Sequence, residues 1–325
     1  MAYTFVYVIF FLYLCTLVCT QVKKVSIIVP NYNHARYLRE RLDSIFAQDY
    51  PQKEIILLDD ASTDESVAIL QEYAKRPEVK TLLVNDRNSG NTFRQWERGL
   101  QEATGDYVWI AESDDLAAPE MLSQLVQGLD NSGAVMAFCH SRKIDTLGYP
   151  LLTSTTGIWQ HDFLMAGEVF VRRYLLGYSY VCNASAVVFR RDAAMQVDMR
   201  EVEKYPASGD RLFWIEIAMQ GTVGYLAKEM NSFRQHPHKV SGSAESLGRN
   251  MEQDHAIYDR MNRRLRLSWP ERVLACGYHW RAIHQPAVTP EGRERAMRAW
   301  REEEEFGRPA YWLYMLTRIM EKING

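Results

Sequence analysis

The chain of 325 residues is 47% hydrophobic and 24% charged, with 38 basic and 41 acidic residues and a formal net charge of -3 at pH 7. This length and apolar content can build one substantial core with an appendage, and the balanced charge argues against a nucleic-acid-binding protein. The five cysteines are far apart or lie in the apolar N-terminus, which argues against a disulfide framework and favours reduced thiols in a cytosolic compartment.

The first 22 residues contain no charged side chain. A helix of about 20 residues spans about 30 Å of hydrocarbon, so residues 1–22 are a candidate membrane anchor. The positive-inside rule then places Lys23, Lys24 and the domain that follows them on the cytoplasmic face. Two alternatives remain open: a signal peptide, which should begin with a positive charge, and a start codon assigned too far upstream, which adds a mis-called N-terminal extension.

Between residues 25 and 115, four apolar runs alternate with amphipathic stretches. The runs are VSIIVP, KEIILLDD, VKTLLVN and DYVWIAESDD, and the stretches between them are ARYLRERLDSIFAQ, DESVAILQEYAK and TFRQWERGLQEA. This alternation predicts βαβ units and an α/β fold with a parallel sheet. Ligands of such sheets bind beyond the carboxyl ends of the strands, where three of the runs end in polar residues. These residues are Asn31 and Asn33, Asp59 and Asp60, and Asp114 and Asp115.

The fourth run ends in the acidic tetrapeptide Glu112-Ser113-Asp114-Asp115. Three carboxylates at an exposed strand end repel one another unless a cation lies nearby, and carboxylate oxygens suit Mg²⁺ or Mn²⁺. Because Mg²⁺ takes much of its shell from water and substrate phosphates, the tetrapeptide favours a phosphate-bearing substrate. In the alternative interpretation, Asp114 and Asp115 only cap the helix predicted for APEMLSQLVQGL.

Three longer strings follow one another over roughly residues 25–242: VSIIVPNYNHARYLRERLDSIFAQDYPQKEIILLDDASTDES, NSGNTFRQWERGLQEATGDYVWIAESDD and SGDRLFWIEIAMQGTVGYLAKEMNSFRQH. In content and order they resemble the family 2 glycosyltransferases. The resemblance implies the GT-A fold, a Rossmann-like, mostly parallel mixed sheet flanked by helices. It implies a GT-A domain over residues 23–245, with a nucleotide-binding half (23–116) and an acceptor half (117–245), and leaves residues 246–325 as a C-terminal helical appendage.

The same resemblance implies an inverting, non-processive, hexosyltransferase-like enzyme. Its donor would be a nucleotide-diphosphate sugar, with a UDP-sugar as first choice, and its acceptor a hydroxyl group of a glycan or lipid-linked glycan. A divalent cation, Mg²⁺ or Mn²⁺, would stabilise the departing diphosphate. No nucleic-acid partner is expected, and membrane association would depend on residues 1–22.

The resemblance assigns particular residues to each part of this reaction. Asp60 would accept a hydrogen bond from the imide N–H of uracil, since a carboxylate is an acceptor only. Asp115 would bind the metal with His236. Asp210 would act as the catalytic base, although the sequence around it fits a helix cap equally well. The other nucleotide-binding residues are Pro30, Asn31, Tyr32 and Asn33 in the loop against the base, and Asp114 at the ribose.

Other residues have less direct expected roles. Arg234, in an Arg-x-His element with His236, would face the diphosphate and neutralise its charge. Glu112 stands where many relatives have an aspartate, and we expect it to contact a metal-bound water. Arg94 has no secure counterpart, because NSGNTFRQWERGL is one residue longer than the usual stretch. His238 is interpreted as a surface or satisfied residue rather than as a ligand.

Two other enzyme classes remain as alternatives. A processive polysaccharide synthase would carry a Gln-x-x-Arg-Trp element followed by several membrane spans, and the sequence has neither. A nucleotidyltransferase would carry a glycine-rich phosphate loop with a basic residue just after the first strand, which PNYNHARYL does not match. The sequence contains neither GxGxxG after a strand nor GxxxxGK before Ser or Thr, so it supports neither a dinucleotide fold with that fingerprint nor a P-loop enzyme.

Overall fold

The computed structural model describes residues 22–152, 159–236 and 246–324. Its first part confirms the predicted alternation: all four predicted strands and the three helices between them are present. In chain order these elements are β1 Val25–Asn31, α1 Ala35–Phe46, β2 Lys53–Asp59, α2 Ser66–Tyr73, β3 Val79–Val84, α3 Thr92–Glu102 and β4 Tyr107–Ile110.

The second part begins directly after the acidic tetrapeptide. The strand that begins with TVGYLAKE continues to Arg234, so it carries the Arg-x-His element back to the sheet. The elements are β5 Leu116–Ala117, α4 Met121–Ser132, β6 Met136–Ile144, β7 Phe163–Ala166, α5 Gly167–Phe170 with a π-helical turn Val171–Leu175, a 3-10 turn Ala184–Ala186, β8 Val187–Arg190, α6 Arg191–Ala194, α7 Met199–Glu203, α8 Gly209–Ala218 and β9 Thr222–Arg234. The C-terminal helices are α9 Arg249–Leu265, α10 Trp269–Ile283, α11 Pro290–Trp300 and α12 Arg308–Asn324.

The strands form one mixed sheet in the order β3-β2-β1-β4-β8-β6-β9-β5, with β7 paired to β9. Strand β1 pairs in parallel with β2 and with β4, and β2 pairs in parallel with β3. Strand β8 pairs antiparallel with β4 and β6, while β6 and β9 are parallel. The predicted α/β fold with a mixed, mostly parallel sheet is confirmed. Because β1, β2 and β4 point the same way, their carboxyl ends lie side by side at one edge of the sheet.

Helices cover both faces of the sheet. Every residue of β1 is buried, because its side chains alternately enter two apolar layers. Ile27 and Val29 pack in the layer that contains Leu38 and Leu42 of α1, whereas Ile28 packs in the layer that contains α3. Burial on both faces explains why the predicted strands are continuous apolar runs rather than alternating ones.

The C-terminal helices pack on the second part of the fold. Met251 and Tyr258 of α9 and Trp300 of α11 belong to the same buried cluster as β8 and α8. Helix α12 crosses α10 closely: a Cβ atom on Gly277 would lie 2.3 Å from the carbonyl oxygen of Ala310, so this position requires glycine. The outward side of α12 leaves large apolar side chains exposed, namely Trp312, Leu313, Leu316 and Ile319.

Some predictions concern segments away from the sheet. Of the candidate anchor at residues 1–22, residues 1–21 lie outside the described residues, as does His238. Within the described ranges, no helix combines the length and the apolar content that a membrane span needs. No disulfide joins the described cysteines, which are Cys139, Cys182 and Cys276.

A buried carboxylate ties the amino-terminal ends of β1, β2 and β4 together. Glu54 accepts hydrogen bonds from Ser26 Oγ at 2.6 Å and from the Thr104 backbone N–H at 2.7 Å, and it pairs with Lys24. Burial by itself raises the pKa of Glu54, but the hydrogen bonds from Lys24, Ser26 and Thr104 outweigh it and lower the pKa to about 2. Glu54 therefore stays ionised at the end of the sheet opposite to its polar edge.

We expect Glu54→Gln to lower the free energy of unfolding at pH 7 by about 1–3 kcal/mol, because the amide presents a donor where Thr104 also donates. An unfolded glutamate has a pKa of about 4.3, so the stabilisation from Glu54 is present above that pH and is lost as the pH falls towards 2. The difference between wild type and variant, measured by urea unfolding, should therefore shrink across this window.

Glu72→Gln is the control for this prediction. Glu72 pairs with Arg39 at the surface, where an ion pair contributes little, so its loss should leave stability nearly unchanged. A difference between wild type and Glu54→Gln that does not depend on pH would contradict the role assigned to Glu54.

Candidate active site

The acidic tetrapeptide lies at the polar edge of the sheet, directly after β4. The prediction of an exposed strand end is wrong: Asp115 is only 1% exposed and Ser113 only 2%. The end of β9 and the segment before β8 cover the tetrapeptide, since Asp115 contacts residues of both. A buried carboxylate needs partners, and those of Asp115 come from distant parts of the chain.

Both carboxylate oxygens of Asp115 accept hydrogen bonds from the protein. The donors are Asn183 Nδ2, at 2.7 Å, and the backbone N–H of Arg234, at 2.9 Å. Burial, and after it the charge of Asp114, raises the pKa of Asp115 to about 7. These bonds fix the side chain and occupy about half of its acceptor capacity.

Glu112 points towards α3. Its Oε1 accepts a hydrogen bond from Trp96 Nε1 at 3.0 Å, and its backbone N–H donates to Ser185 Oγ at 3.1 Å. Burial, followed by the charges of Asp114 and Asp115, raises the pKa of Glu112 to about 8. Its expected contact with a metal-bound water stays a prediction.

The tetrapeptide has an internal counter-charge, Arg41 of α1. This side chain is completely buried, donates to Ser185 Oγ at 3.2 Å, and lies 4.9 Å from the centroid of the Trp109 ring. Its Nε and Nη1 atoms have no hydrogen-bond partner among the described residues. Burial lowers the pKa of Arg41 to about 10, and the charges of the three carboxylates oppose that fall. Arg41 is therefore the fixed cation that makes burial of these carboxylates tolerable.

Arg41 has no role in the sequence-based predictions, although the sequence contains a signal for it. The other large buried residues of α1 are Tyr37, Leu38, Leu42 and Ile45, and Arg41 lies on the same helical face. A cation at a position where the helical period expects an apolar side chain indicates a buried counter-charge.

Arg234 reaches the tetrapeptide from the end of β9, and all three nitrogens of its guanidinium group donate to other groups of the protein. Nε donates to the Asp114 carbonyl oxygen at 2.7 Å, and Nη2 pairs with Glu40 at 2.7 Å. Nη1 donates to the Asp145 carbonyl oxygen at 3.2 Å, and the guanidinium lies 4.9 Å from the centroid of the Tyr37 ring. Arg234 thus holds the tetrapeptide against α1 and the end of β6, and contact with a diphosphate stays a prediction.

His34, Asp114 and His236 form a cluster suited to a metal ion. One ligand atom from each lies within 4.8 Å of the other two. His236 Nε2 is 2.8 Å from Asp114 Oδ2, and His34 Nδ1 is 2.8 Å from Ser113 Oγ. Burial raises the pKa of Asp114, but the hydrogen bond from His236 and the charges of both histidines outweigh it and lower that pKa. Burial lowers the pKa of His34, which favours the neutral imidazole that binds metals.

This cluster differs from the predicted ligand pair of Asp115 and His236. His236 belongs to it, but its oxygen ligand is Asp114, which the resemblance assigned to the ribose. His34 had no predicted role. Two imidazole nitrogens and one carboxylate oxygen are a donor set that fits a divalent metal ion of the first transition row.

The predicted base loop follows β1. Pro30 is buried within the strand, and Asn31 donates through Nδ2 to Asp59 Oδ2 at 2.7 Å. Asn33 adopts a left-handed backbone, with φ of 55°, which asparagine tolerates better than most residues. Tyr32 is 44% exposed. Tyr32 and Asn33 are therefore the exposed residues of this loop.

Asp60 follows β2 and is 5% exposed. Its carboxylate accepts from the Ser89 N–H at 2.9 Å, Ser89 Oγ at 2.7 Å, Asn85 Nδ2 at 2.6 Å and Gln95 Nε2 at 2.9 Å. Most of its acceptor capacity orders the segment between β3 and α3. Among the described residues, Oδ2 of Asp60 accepts only from Ser89. Oδ2 is therefore the oxygen that could form the predicted bond to uracil.

Asp210 is the second residue of α8. Its Oδ1 accepts the backbone N–H of Arg211 at 2.8 Å, but the N-cap residue of α8 is Ser208, so the alternative of an N-cap aspartate is wrong. Burial raises the pKa of Asp210, which suits a general base. Burial also raises the pKa of Cys182 to about 11, and the Asp210 charge adds to that rise. Cys182 is the sequence neighbour of Asn183, which donates to Asp115.

We expect Arg41→Met to destabilise the protein by about 3–5 kcal/mol at pH 8, because it leaves buried carboxylates without their counter-charge. The pKa values of Asp115 and Glu112 are already raised above the unfolded values, so their ionisation costs stability as the pH rises towards 8. The loss should be clearly smaller at pH 5.5, where both groups are protonated. Urea unfolding at the two pH values measures it.

Arg39→Met serves as the matched control for Arg41→Met. Arg39 lies in the same helix but is exposed and pairs with Glu72 at the surface. Its replacement should change stability little at either pH. Equal losses for Arg41→Met at pH 5.5 and pH 8 would show that the cost arises from packing and not from charge.

Comparison with known proteins identifies the family. A sequence model described as Glycosyl transferase family 2 matches residues 26–197, more than half of the chain. The uncharacterized glycosyltransferase alr2836 of Nostoc sp. is 34% identical over 125 residues, 38% of each chain. The poly(ribitol-phosphate) beta-N-acetylglucosaminyltransferase TarS of Staphylococcus aureus is 30% identical over 129 residues, 39% of this chain and 22% of TarS. The chain thus matches well under half the length of these curated relatives.

Two solved structures share the fold. The crystal structure of S. aureus TarS 1-349 in complex with UDP-GlcNAc matches with a TM-score of 0.57 at 18% identity, over 91% of this chain and 92% of that chain. The mannosyltransferase PcManGT from Pyrobaculum calidifontis, in complex with GDP-Man and Mn²⁺, matches with a TM-score of 0.52 at 21% identity, over 93% and 81% of the two chains. With the family model matched across β1 to β8, the chain belongs to glycosyl transferase family 2.

Proposed function

We propose that this protein transfers a sugar from a UDP-sugar to a hydroxyl group of a glycan or lipid-linked glycan, with inversion at the anomeric carbon. The observation that carries the proposal is the cluster of His34, Asp114 and His236 beside the carboxyl end of β4. A cation site at that edge of an α/β sheet suits a diphosphate, because phosphate oxygens can complete the shell of a divalent ion. Membership of family 2 supports the same class of reaction.

The donor nucleotide would lie against the loops after β1 and β2. Tyr32 offers an exposed ring, and Asp60 Oδ2 offers an acceptor for the N–H of uracil or guanine. Pro30, Asn31 and Asn33 would shape the loop around the base. The complexes of TarS with UDP-GlcNAc and of PcManGT with GDP-Man support a base of this kind. Uridine is our first choice, because TarS is also related in sequence.

The cation would be Mg²⁺ or Mn²⁺, and the PcManGT complex contains Mn²⁺. His236 and Asp114 would hold it. Asp115, the predicted ligand, would orient the tetrapeptide through its bonds to Asn183 and Arg234. When bound, the cation supplies positive charge to the departing diphosphate.

The reaction also needs a base, since a sugar hydroxyl is a weak nucleophile until its proton is removed. Asp210 would accept that proton at Oδ2, because Oδ1 is bonded to the Arg211 N–H. The acceptor oxygen then forms a bond to the anomeric carbon from the face opposite to the diphosphate. The bond from this carbon to the diphosphate oxygen breaks, and the configuration is inverted.

Unfolding in the presence of nucleotides tests the donor and the metal. With Mn²⁺ present, UDP at about 100 times its dissociation constant should raise the free energy of unfolding by about 2.7 kcal/mol. CDP is the matched control, because cytosine lacks the ring N–H that uracil donates. EDTA should remove most of the UDP effect. Equal stabilisation by CDP would contradict base recognition by Asp60, and an undiminished UDP effect in EDTA would contradict the metal site.

Asp210→Asn separates a catalytic base from a structural role at the start of α8. The asparagine side-chain oxygen can still accept the Arg211 N–H, so stability and UDP binding should change little. Sugar transfer should fall by about 100- to 10,000-fold, the usual effect of losing a positioned general base. The loss should appear in turnover more than in the affinity for the donor, as steady-state kinetics can measure.

Asp192→Asn is the matched control for Asp210→Asn. Asp192 also lies in the first turn of a helix, α6, and also accepts the next backbone N–H at 2.8 Å, but it pairs with Arg190 at the surface. It should keep the wild-type rate of transfer. Near-normal transfer by Asp210→Asn would show that Asp210 has only a structural role, and Glu216, which pairs with Arg264, would be tested next.

A further inference from the structure

His34 occupies an unusual position at the start of α1. It is the N-cap residue, where Ser, Thr, Asp or Asn is preferred because the side chain accepts a backbone N–H of the first turn. The His34 side chain makes no capping bond. The Ala35 N–H donates instead to Asp64 Oδ2, at 2.9 Å, in the segment before α2. Because Asp64 accepts this N–H, the His34 imidazole is not used to cap the helix.

The His34 imidazole packs against the acidic tetrapeptide and His236. Nδ1 is 2.8 Å from Ser113 Oγ, and the ring lies edge-on to His236 with 5.5 Å between the centroids. Tyr37, one turn further along α1, contacts both imidazoles, with centroids 6.1 Å from His34 and 5.3 Å from His236. Ring packing, and for His34 the contact with Ser113, therefore fixes both imidazoles beside Asp114. Metal-binding histidines are usually held in a fixed orientation by partners other than the metal.

His236 faces the same carboxylate from the end of β9. Its side chain is buried, and Nε2 is 2.8 Å from Asp114 Oδ2. Nδ1 is also buried and has no hydrogen-bond partner among the described residues. The two nitrogens of an imidazole point in different directions, so Nε2 is the one that faces Asp114 and the second imidazole.

We propose that His34 is the third protein ligand of a His34–Asp114–His236 site, and that this site binds a first-row transition-metal dication in preference to Mg²⁺, in the order Co²⁺, Mn²⁺, Mg²⁺. The proposal rests on the function proposed above and deepens it, because this cation would face the donor diphosphate. Metal–ligand bonds of about 2.0–2.2 Å place ligand atoms about 3–4 Å apart. The ligand atoms already lie within 4.8 Å of one another, so a small contraction completes the site.

The ligand types determine the metal preference. Mg²⁺ favours oxygen ligands and keeps several waters, whereas imidazole binds first-row transition metals, more strongly for Co²⁺ than for Mn²⁺. Two histidines and one carboxylate form a set that leaves coordination positions open. The three ligands carry one negative charge, so a bound dication keeps a net positive charge for the phosphate oxygens.

Metal binding without nucleotide tests the site directly. Co²⁺ would be titrated into the full chain and followed by visible absorption and calorimetry, with Mn²⁺ and Mg²⁺ titrated under the same conditions. We expect one Co²⁺ per chain, weaker binding of Mn²⁺, and binding of Mg²⁺ at least about tenfold weaker than that of Mn²⁺. His34→Asn should weaken Co²⁺ binding about tenfold or more and change its visible spectrum, because one imidazole ligand is lost.

The controls separate a lost ligand from a damaged fold. Asparagine is a preferred N-cap residue, so His34→Asn should fold, and His34→Gln provides a second variant. His255→Asn is the matched control, because His255 Nε2 lies 3.0 Å from Glu303 Oε1 in a pair that resembles His236 with Asp114. Among the described residues this pair belongs to no three-ligand cluster, so its loss should leave Co²⁺ binding unchanged.

Unchanged Co²⁺ affinity and spectrum in both folded His34 variants would overturn the role of His34, and equal affinities for Mg²⁺ and Mn²⁺ would overturn the metal preference. Sugar transfer is scored separately from metal binding. A His34-dependent Co²⁺ site in a protein that transfers no sugar would support the metal site and refute the proposed function. Transfer that depends on Asp210, with Co²⁺ binding indifferent to His34, would refute the metal site alone.

Discussion

Buried negative charge at the carboxyl end of β4 is the constraint on which the rest of the site depends. Ionised carboxylates in a dry environment need cations, and burial raises the pKa of Glu112 to about 8 and that of Asp115 to about 7. The fold supplies Arg41 from one side and Arg234 from the other, but Arg234 is shared with Glu40. The three carboxylates therefore depend on two arginines, and they share one of these with another carboxylate.

This constraint joins parts of the chain that are far apart in sequence. The partners of Asp115 come from the segment before β8, through Asn183, and from the end of β9, through Arg234. Strand β8 lies beside β4 in the sheet, and β9 lies beside β6, so the sheet order determines which segments can cover the tetrapeptide. The antiparallel insertion of β8 therefore belongs to the construction of the site as well as to the fold.

The difference between local and remote contacts explains what could be predicted from sequence. Strands β1 to β4 and the helices between them follow from hydrophobic periodicity, which is local, and the sequence motifs identified the family. The exposure of Asp115 was predicted wrongly because its covering residues are remote. No sequence signal pointed to His34, because its place in the cluster depends on His236, which β9 brings back to the same edge of the sheet. Ser185 contacts both Glu112 and Arg41, but it lies in a segment without a recognisable motif.

Helix α1 shows how one element serves the core and the site together. Leu38 and Leu42 anchor it in the apolar layer against β1. His34, Tyr37 and Arg41 are three and four residues apart, so they lie along one helical face that continues from that layer to the polar edge of the sheet. A one-residue insertion between His34 and Arg41 would rotate Arg41 by about 100° around the helix relative to His34 and separate the buried cation from the imidazole. The packing that stabilises the core therefore also sets the spacing between the fixed counter-charge and the cluster of His34, Asp114 and His236, and the two cannot vary independently.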